Sequence, residues 1–179
     1  MIKSFRTKSS IQVLLTGEIS WDTLGELYES LIPCTYNKIE LLISSQGGDR
    51  DAGISILSFL KGLNCTIATV GMGKVYSAAI YPFLASKNCR YAFPDTVFLF
   101  HPTTFDMEGE ISIRTLEENV GADQLDSNHL ATLLKQLSIP INMWNQIVNP
   151  QTSLFLSAQL AEQYGLVTKI IPNFSSIAV

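Results

Sequence analysis

The sequence predicts an α/β fold built on a parallel or mostly parallel sheet. Short apolar runs typical of buried strands alternate along the chain with longer segments whose apolar residues have helical spacing. Three of the apolar runs are followed by glycine, serine or histidine, at Ser44–Gly48, Gly71–Ser77 and His101. Because the carboxyl ends of parallel strands meet at one edge of a sheet, we expect these residues to share the edge where such folds usually place their chemistry.

The first half of the chain contains the clearest patterns. Strands are predicted at 11–15, 39–43, 66–70 and 97–100, and helices at 21–31, at about 52–63 and from Ser77 onward. Leu24, Leu27 and Leu31 are spaced for one buried face of the first helix. The second helix carries apolar residues on more than one side, which indicates deeper burial.

The second half has a different pattern of polar and apolar residues. After His101 the sequence is polar and has no clear period, which predicts a loop or protruding arm over 103–115. A long helix is predicted from about 115 to 137, a short one around 141–148 beyond Pro140, and a last strand over 166–171. Between the last two elements, Ser157 suits a helix N-cap and Gly165 a C-cap. Because there is no repeat and no linker, we expect one domain over residues 1–179.

Composition narrows the classes of function. The chain has 179 residues, of which 46% are hydrophobic and only 16% charged, so it can bury a full core, and we expect apolar surface used in self-association. A net charge of −4 without a cluster of basic residues argues against nucleic-acid binding. Three cysteines without metal-ligand spacing, Cys34, Cys65 and Cys89, predict reduced and mostly buried thiols. With no signal-peptide or membrane-span pattern, we expect a soluble cytoplasmic protein that binds no membrane.

Ser77 and His101 predict acyl-transfer chemistry. A serine hydroxyl needs a neighbouring base, normally histidine, and the oxyanion that forms needs N–H donors already in place. A turn from strand to helix at Ser77 would expose its hydroxyl and put the Ala78 amide at a helix N-terminus, and the Gly47–Gly48 turn would supply a second amide. Each feature alone has a plainer interpretation, namely a helix cap, a core or interface histidine and a simple turn. Their occurrence together favours the catalytic interpretation.

Several motifs resemble those of the ClpP-type serine peptidases, the proteolytic subunits of ATP-dependent Clp proteases. Six segments resemble the family's motifs and follow in the same order. Ile43–Gly48 with Ala52-Gly53 resembles I-N-S-P-G-G with A-G, Gly73–Ile80 resembles G-x-A-A-S-M-G-A, and Arg90–Pro94 resembles R-Y-A-L-P-N. His101-Pro102 stands where the family has H-Q-P, Phe155–Ala158 resembles F-M-S-A, and Glu162–Val167 resembles E-Y-G-L-I-D. The resemblance covers roughly residues 10 to 172 and implies a ClpP/crotonase-like fold of repeated β-β-α units. It also implies a protruding handle at about 103–137, and heptameric rings of identical subunits, stacked in pairs.

The resemblance also implies roles for individual residues. It makes Ser77 the nucleophile, His101 the general base and then general acid, and the amides of Gly48 and Ala78 the oxyanion donors. An extended peptide or unfolded chain would pair as an added strand with the three residues that follow, Asp49, Arg50 and Asp51. No metal and no organic cofactor is implied.

The sequence departs from the family pattern in three places. Ser153 stands where the family has its triad aspartate. His101 would therefore work in a dyad with Ser77, or be held by Ser153, by Asn149 or by a carboxylate elsewhere in the chain. Lys74, Val75 and Tyr76 replace small residues before the nucleophile, and they either narrow the substrate cleft or face the core. The first predicted strand begins near Ile11, which leaves no room for the family's N-terminal loops, so a Clp-type ATPase partner is not expected.

Two functions therefore compete. The first is a serine endopeptidase that cleaves peptides or unfolded proteins, with weak activity. The alternative is a catalytically impaired ClpP-like subunit with a structural or regulatory role in a ring. A crotonase-type enzyme acting on acyl-CoA is the least favoured, because that branch of the fold does not use a Ser-His pair.

Overall fold

Eight strands form one sheet, as the computed structural model of the chain shows for residues 1–6, 10–32, 36–102, 112–137, 147 and 153–176. The strands are β1 (Ile2–Arg6), β2 (Ser10–Ile19), β3 (Lys38–Gly48), β4 (Thr66–Tyr76), β5 (Arg90–Ala92), β6 (Val97–Phe100), β7 (Leu154–Ser157) and β8 (Lys169–Ile170). The helices are α1 (Trp21–Leu31), α2 (Arg50–Gly62), α3 (Ile80–Phe83), α4 (Ile113–Gln136) and α5 (Ala158–Gln163). Two short 3₁₀ turns cover Ser77–Ala79 and Phe174–Ser176.

The sheet is mostly parallel, as the sequence predicts. Its strand order is β1-β2-β3-β4-β5-β8, with β6 pairing with β4 and β7. Only the β1–β2 ladder among those with a described register is antiparallel. In the centre, Ile11 of β2 lies beside Ile39 of β3, which lies beside Ile67 of β4. The buried residues of β2 and β3, together with α1 and α2, form the core beneath the site.

Strands β3 and β4 extend well beyond their predicted ends. Both glycine segments lie inside strands rather than in turns, because β3 continues to Gly48 and β4 to Tyr76. The ladder between them slips after Ile43 pairs with Gly71, and it resumes with Ser45 opposite Val75. The extra residues of β4 form a bulge, which the positive φ of Gly73 (+61°) permits.

The structure corrects several other predictions. Strand β1 was not predicted, because most of its residues are exposed and lack an alternating pattern. The prediction that the first strand begins near Ile11 is therefore wrong. The helix from Ser77 is a 3₁₀ turn followed by the single turn α3, and the last strand is shorter than 166–171. Neither Cys65 nor Cys89 is in a disulfide, as expected, but both are only half-buried. Cys34, the arm over 103–111 and the short helix around 141–148, Ile147 excepted, lie outside the described residues.

The chain divides into two units. The first contains Met1–Leu99 and Phe155–Val179, and the second contains Phe100–Leu154. Helix α4 of the second unit is the predicted long helix, and Ser112 caps it by accepting a hydrogen bond from the Thr115 amide. In the first unit Ser157 caps α5, as predicted, and Gly165 follows with a φ of +75°. No helix in the described part of the chain is long and apolar enough to cross a membrane.

Candidate active site

Ser77 occupies a strained turn at the end of β4. Its φ is +52°, and it is the one non-glycine residue with positive φ in the part of the chain that the structure describes. This conformation costs an ordinary residue roughly 1–3 kcal/mol and persists only where the surroundings hold it. The cap residue of the following 3₁₀ turn is Tyr76, and no side chain caps that turn, so the interpretation of Ser77 as a helix cap is wrong. A sharp strand-to-helix turn of this kind exposes the nucleophilic serine of α/β-hydrolases.

Glycines allow the backbone of β3 to lie directly against this turn. A methyl group added at Gly47 would lie 2.7 Å from the Ser77 Cβ and 2.8 Å from the Tyr76 carbonyl oxygen. One added at Gly48 would lie 2.3 Å from the Ile19 carbonyl oxygen. The two φ angles, +96° and +147°, are also unfavourable for any other residue. Gly47 therefore lets β3 hold the strained serine in place, and Gly48 lets β3 lie against the end of β2.

Helix α2 holds the same turn from the opposite side. A methyl group at Gly53, in the first half of α2, would lie 2.8 Å from the Ala78 carbonyl oxygen. The side chain of Asp49 caps this helix by accepting a hydrogen bond from the Ala52 amide at 2.9 Å. Arg50 and Asp51 form its first turn. The predicted pairing of Asp49, Arg50 and Asp51 with a substrate stays a prediction, and the described conformation places the last two in a helix rather than a strand.

Ser45 is a site residue that the sequence reasoning missed. Its side chain is buried, and its hydroxyl donates to the Gly17 carbonyl at 2.6 Å and accepts from the Gly47 amide at 3.0 Å. One hydroxyl thus ties Gly17, where the β2–β3 ladder shifts register, to the Gly47 end of β3 beside Ser77. The signal that could have found it is a serine inside an otherwise apolar strand, since a buried hydroxyl requires a partner.

We expect Ser45→Ala to destabilise the fold by about 1–3 kcal/mol, because the buried Gly47 amide is left without an acceptor. Chemical denaturation of the purified variant measures the loss. Ser44→Ala is the matched control, since Ser44 is the half-buried neighbour on the same strand, and it should change stability by less than about 0.5 kcal/mol. Equal losses in the two variants would contradict the role given to the Ser45 hydroxyl.

The amide groups near Ser77 are the candidates for binding an oxyanion. A methyl group at Gly47 would lie 3.2 Å from the Ala78 nitrogen, so the amide that follows Ser77 is adjacent to the glycine turn. The structure thus brings together Ser77, Ala78 and the Gly47–Gly48 segment, as the sequence predicts. The assignment of the Gly48 and Ala78 amides as oxyanion donors stays a prediction.

The bulky residues before Ser77 divide between core and surface. Val75 is fully buried, whereas Lys74 is exposed and Tyr76 is half-buried. The Lys74 Nζ lies 5.8 Å from the centre of the Tyr76 ring, and that ring packs edge-on against Phe155 at 6.3 Å. Only Val75 therefore faces the core, and a cationic and aromatic surface leads up to Ser77.

His101 lies at the start of the second unit and is half-buried. Its Nδ1 lies 2.8 Å from the carbonyl oxygen of the next residue, Pro102. Ser153 is exposed and makes no side-chain hydrogen bond among the described residues, while Asn149 lies outside them. The catalytic pairing of Ser77 with His101, and any role of Ser153 at the third position, stay predictions. Within the described residues no group of three potential ligands is placed to bind a metal ion.

The comparisons with known proteins agree with this fold. The family model described as Clp protease matches residues 5–174. The chain is 29% identical over 170 residues to "ATP-dependent Clp protease proteolytic subunit 2" of Treponema pallidum, covering 89% of this chain and 81% of the relative. It is 27% identical over 186 residues to "ATP-dependent Clp protease proteolytic subunit" of Paracoccus denitrificans, covering 98% and 90%.

Solved structures give the same result. "ClpP1 from Listeria monocytogenes" superimposes with a TM-score of 0.76 at 28% identity, covering 93% of this chain and 94% of the other. A point mutant of that Listeria protein gives the same TM-score and coverage at 25% identity. The chain therefore has the α/β fold of ClpP. The chain belongs to the Clp protease family.

Proposed function

We propose that the protein is a serine endopeptidase that hydrolyses peptide bonds in peptides or unfolded proteins. The observation that carries the proposal is the strained Ser77 turn, held between β3 and α2 with amide groups beside it. A residue held in the positive-φ region by surrounding backbone is typical of functional sites. The family supports the peptidase class, and the two relatives above are described as proteolytic subunits of ATP-dependent Clp proteases.

In the proposed reaction, His101 takes the proton of the Ser77 hydroxyl as its oxygen attacks the peptide carbonyl carbon. The Gly48 and Ala78 amides stabilise the negative charge on the carbonyl oxygen. His101 then gives the proton to the leaving amine, and water releases the acyl group by the same steps in reverse. The peptide would lie along the glycine turn and the segment Asp49–Asp51, with no metal or cofactor taking part.

Covalent labelling with a fluorophosphonate tests the proposal, because only an activated serine reacts at a useful rate. Intact-mass measurement should show one adduct per chain in the wild type and none in Ser77→Ala or His101→Ala. Ser58→Ala, which removes an exposed hydroxyl on α2, should label like the wild type. An adduct that persists in Ser77→Ala would overturn the assignment of the nucleophile.

The second candidate is a catalytically impaired subunit with a structural or regulatory role. Ser153 favours it, because a hydroxyl cannot supply the negative charge that a triad carboxylate offers to the imidazolium. This candidate predicts a folded, assembled protein that takes no adduct. Light scattering on the labelled sample separates it from a protein that has merely lost its structure.

We also propose that residues 1–179 form one domain and that the protein is cytoplasmic. Seven identical subunits would form a ring, and two rings would stack through the handle. The handle helix α4 supports this, because its large apolar side chains at Ile113, Val120 and Leu125 are 76%, 66% and 70% exposed. Exposed apolar groups of this size on a helix indicate a surface that another subunit covers. Neither Cys65 nor Cys89 is in a disulfide, which fits a reducing compartment.

Val120→Glu should weaken this assembly without unfolding the subunit, because it places a charge in the apolar surface of α4. Light scattering should show smaller particles at equal protein concentration, with an unchanged circular dichroism spectrum. Ala122→Glu adds the same charge at an exposed position on the opposite face of α4 from Val120 and should leave the mass unchanged. Equal masses for all three proteins would show that α4 does not hold subunits together.

A further inference from the structure

The partner of the His101 Nδ1 atom is a backbone carbonyl, and this fixes the state of the ring. A carbonyl oxygen only accepts hydrogen bonds, so at 2.8 Å from the Pro102 oxygen the Nδ1 atom must carry the proton. A neutral imidazole has a single N–H. The other nitrogen, Nε2, therefore carries the lone pair.

We propose that the Pro102 carbonyl is the positioning group that prepares His101 to act as a base. This inference rests on the proposed function. The carbonyl holds the tautomer in which Nε2 can take the Ser77 proton, which is the orienting half of the task that a triad carboxylate performs. Ser153, exposed and without a described hydrogen bond, is not needed for that half.

The local chain makes this arrangement stiff. Proline restricts its own φ to about −65°. It also restricts the residue before it, His101, to extended conformations. Few backbone states are therefore open to the His101-Pro102 pair, and the hydrogen bond joins adjacent residues, so forming it costs little loop-closure entropy.

A carbonyl performs only part of the task of a carboxylate. When the Ser77 oxygen bonds to the substrate carbon, its proton moves to Nε2 and the ring becomes a cation with both nitrogens protonated. The Pro102 carbonyl still accepts from Nδ1 but offers only a dipole to that cation. The proton then goes to the leaving amine as the C–N bond breaks. We therefore expect an activated but slow serine, in agreement with the weak activity that the sequence predicts.

The tautomer can be measured without any activity. Solid-state ¹⁵N NMR on the sedimented, histidine-labelled full chain reports which ring nitrogen is protonated, and His129→Gln leaves His101 as the single signal. At a pH where the ring is neutral, the expected result is a protonated Nδ1 and an unprotonated Nε2. A protonated Nε2, or an equal mixture of tautomers, would overturn the inference whether or not the protein is a peptidase.

An ester in place of the peptide bond after Pro102 tests the causal step, because an ester carbonyl is a weaker acceptor. Replacing Thr103 by its α-hydroxy acid should lower the rate of fluorophosphonate labelling by about threefold to tenfold, the effect of weakening one hydrogen bond. It should also make the second tautomer visible. The same ester after Pro94, made by replacing exposed Asp95, is the matched control. An unchanged tautomer in the Pro102 ester would overturn the proposal, whereas absent labelling in the wild type would count only against the peptidase function.

Discussion

Gly47→Ala should lower the rate of fluorophosphonate labelling of Ser77 by about 100-fold or more, the effect of a misplacement of about 1 Å in a catalytic group. The new methyl group would lie 2.7 Å from the Ser77 Cβ and 2.8 Å from the Tyr76 oxygen, and neither can withdraw as a flexible side chain could. Because φ at this position is +96°, the variant should also lose about 1–3 kcal/mol through backbone strain. The site and the fold should both be affected, the site more strongly.

Labelling kinetics and chemical denaturation of the same preparations measure the two effects. Gly25→Ala is the matched control, because Gly25 lies within α1 and a methyl group there would meet no atom within 4 Å. Alanine in a helix is favoured over glycine by about 0.5–1 kcal/mol, so this control should be slightly more stable and label normally. A Gly47→Ala protein that labels at the wild-type rate would show that the described packing around Ser77 is wrong.

The class of fold and the turn at Ser77 could be predicted from sequence because both depend on local patterns. Apolar runs define β2, β3 and β4, and a parallel sheet brings their carboxyl ends to one edge. The strand-turn-helix pattern around Ser77 required no knowledge of distant contacts. The same reasoning gave the caps at Ser157 and Gly165, where one residue satisfies groups within its own turn.

Features that depend on contacts between distant segments could not be predicted in this way. The length of β3 and β4 is set by pairing across a bulge, so the glycines that looked like turns lie within strands. Strand β1 forms only because β2 offers it an edge. The hydroxyl of Ser45 joins β2 to β3, 28 positions apart in sequence, and nothing near it indicates that bond. The buried contacts of Arg90 escape prediction for the same reason.

Arg90 is the most unusual polar side chain of the core, being only 2% exposed. Its guanidinium donates to the carbonyls of Leu166 (2.8 Å) and Gly165 (2.8 Å), which follow α5, and to those of Ser86 (3.0 Å) and Lys87, which follow α3. Desolvation by burial lowers the pKa of Arg90 to about 10, partly offset by the coulombic effect of Cys89, so the group is still charged at neutral pH. No carboxylate among the described residues pairs with it. The four carbonyl dipoles are what stabilise this charge.

Arg90→Met should therefore destabilise the protein by about 3–5 kcal/mol, because it leaves buried carbonyls without donors on both segments that the guanidinium joins. For a chain of this size that corresponds to a fall in melting temperature of roughly 10 °C. Arg90→Lys keeps the charge but lacks the planar set of five donors, so it should recover only part of the loss.

Arg114→Met is the matched control, because it removes an exposed arginine with one ion pair, and its expected cost is about 0.5 kcal/mol. Thermal unfolding of the three variants measures these losses. If Arg90→Lys were as stable as the wild type, a positive charge alone would suffice at this position. The hydrogen bonds to four carbonyls would then not be what joins α5 to the sheet.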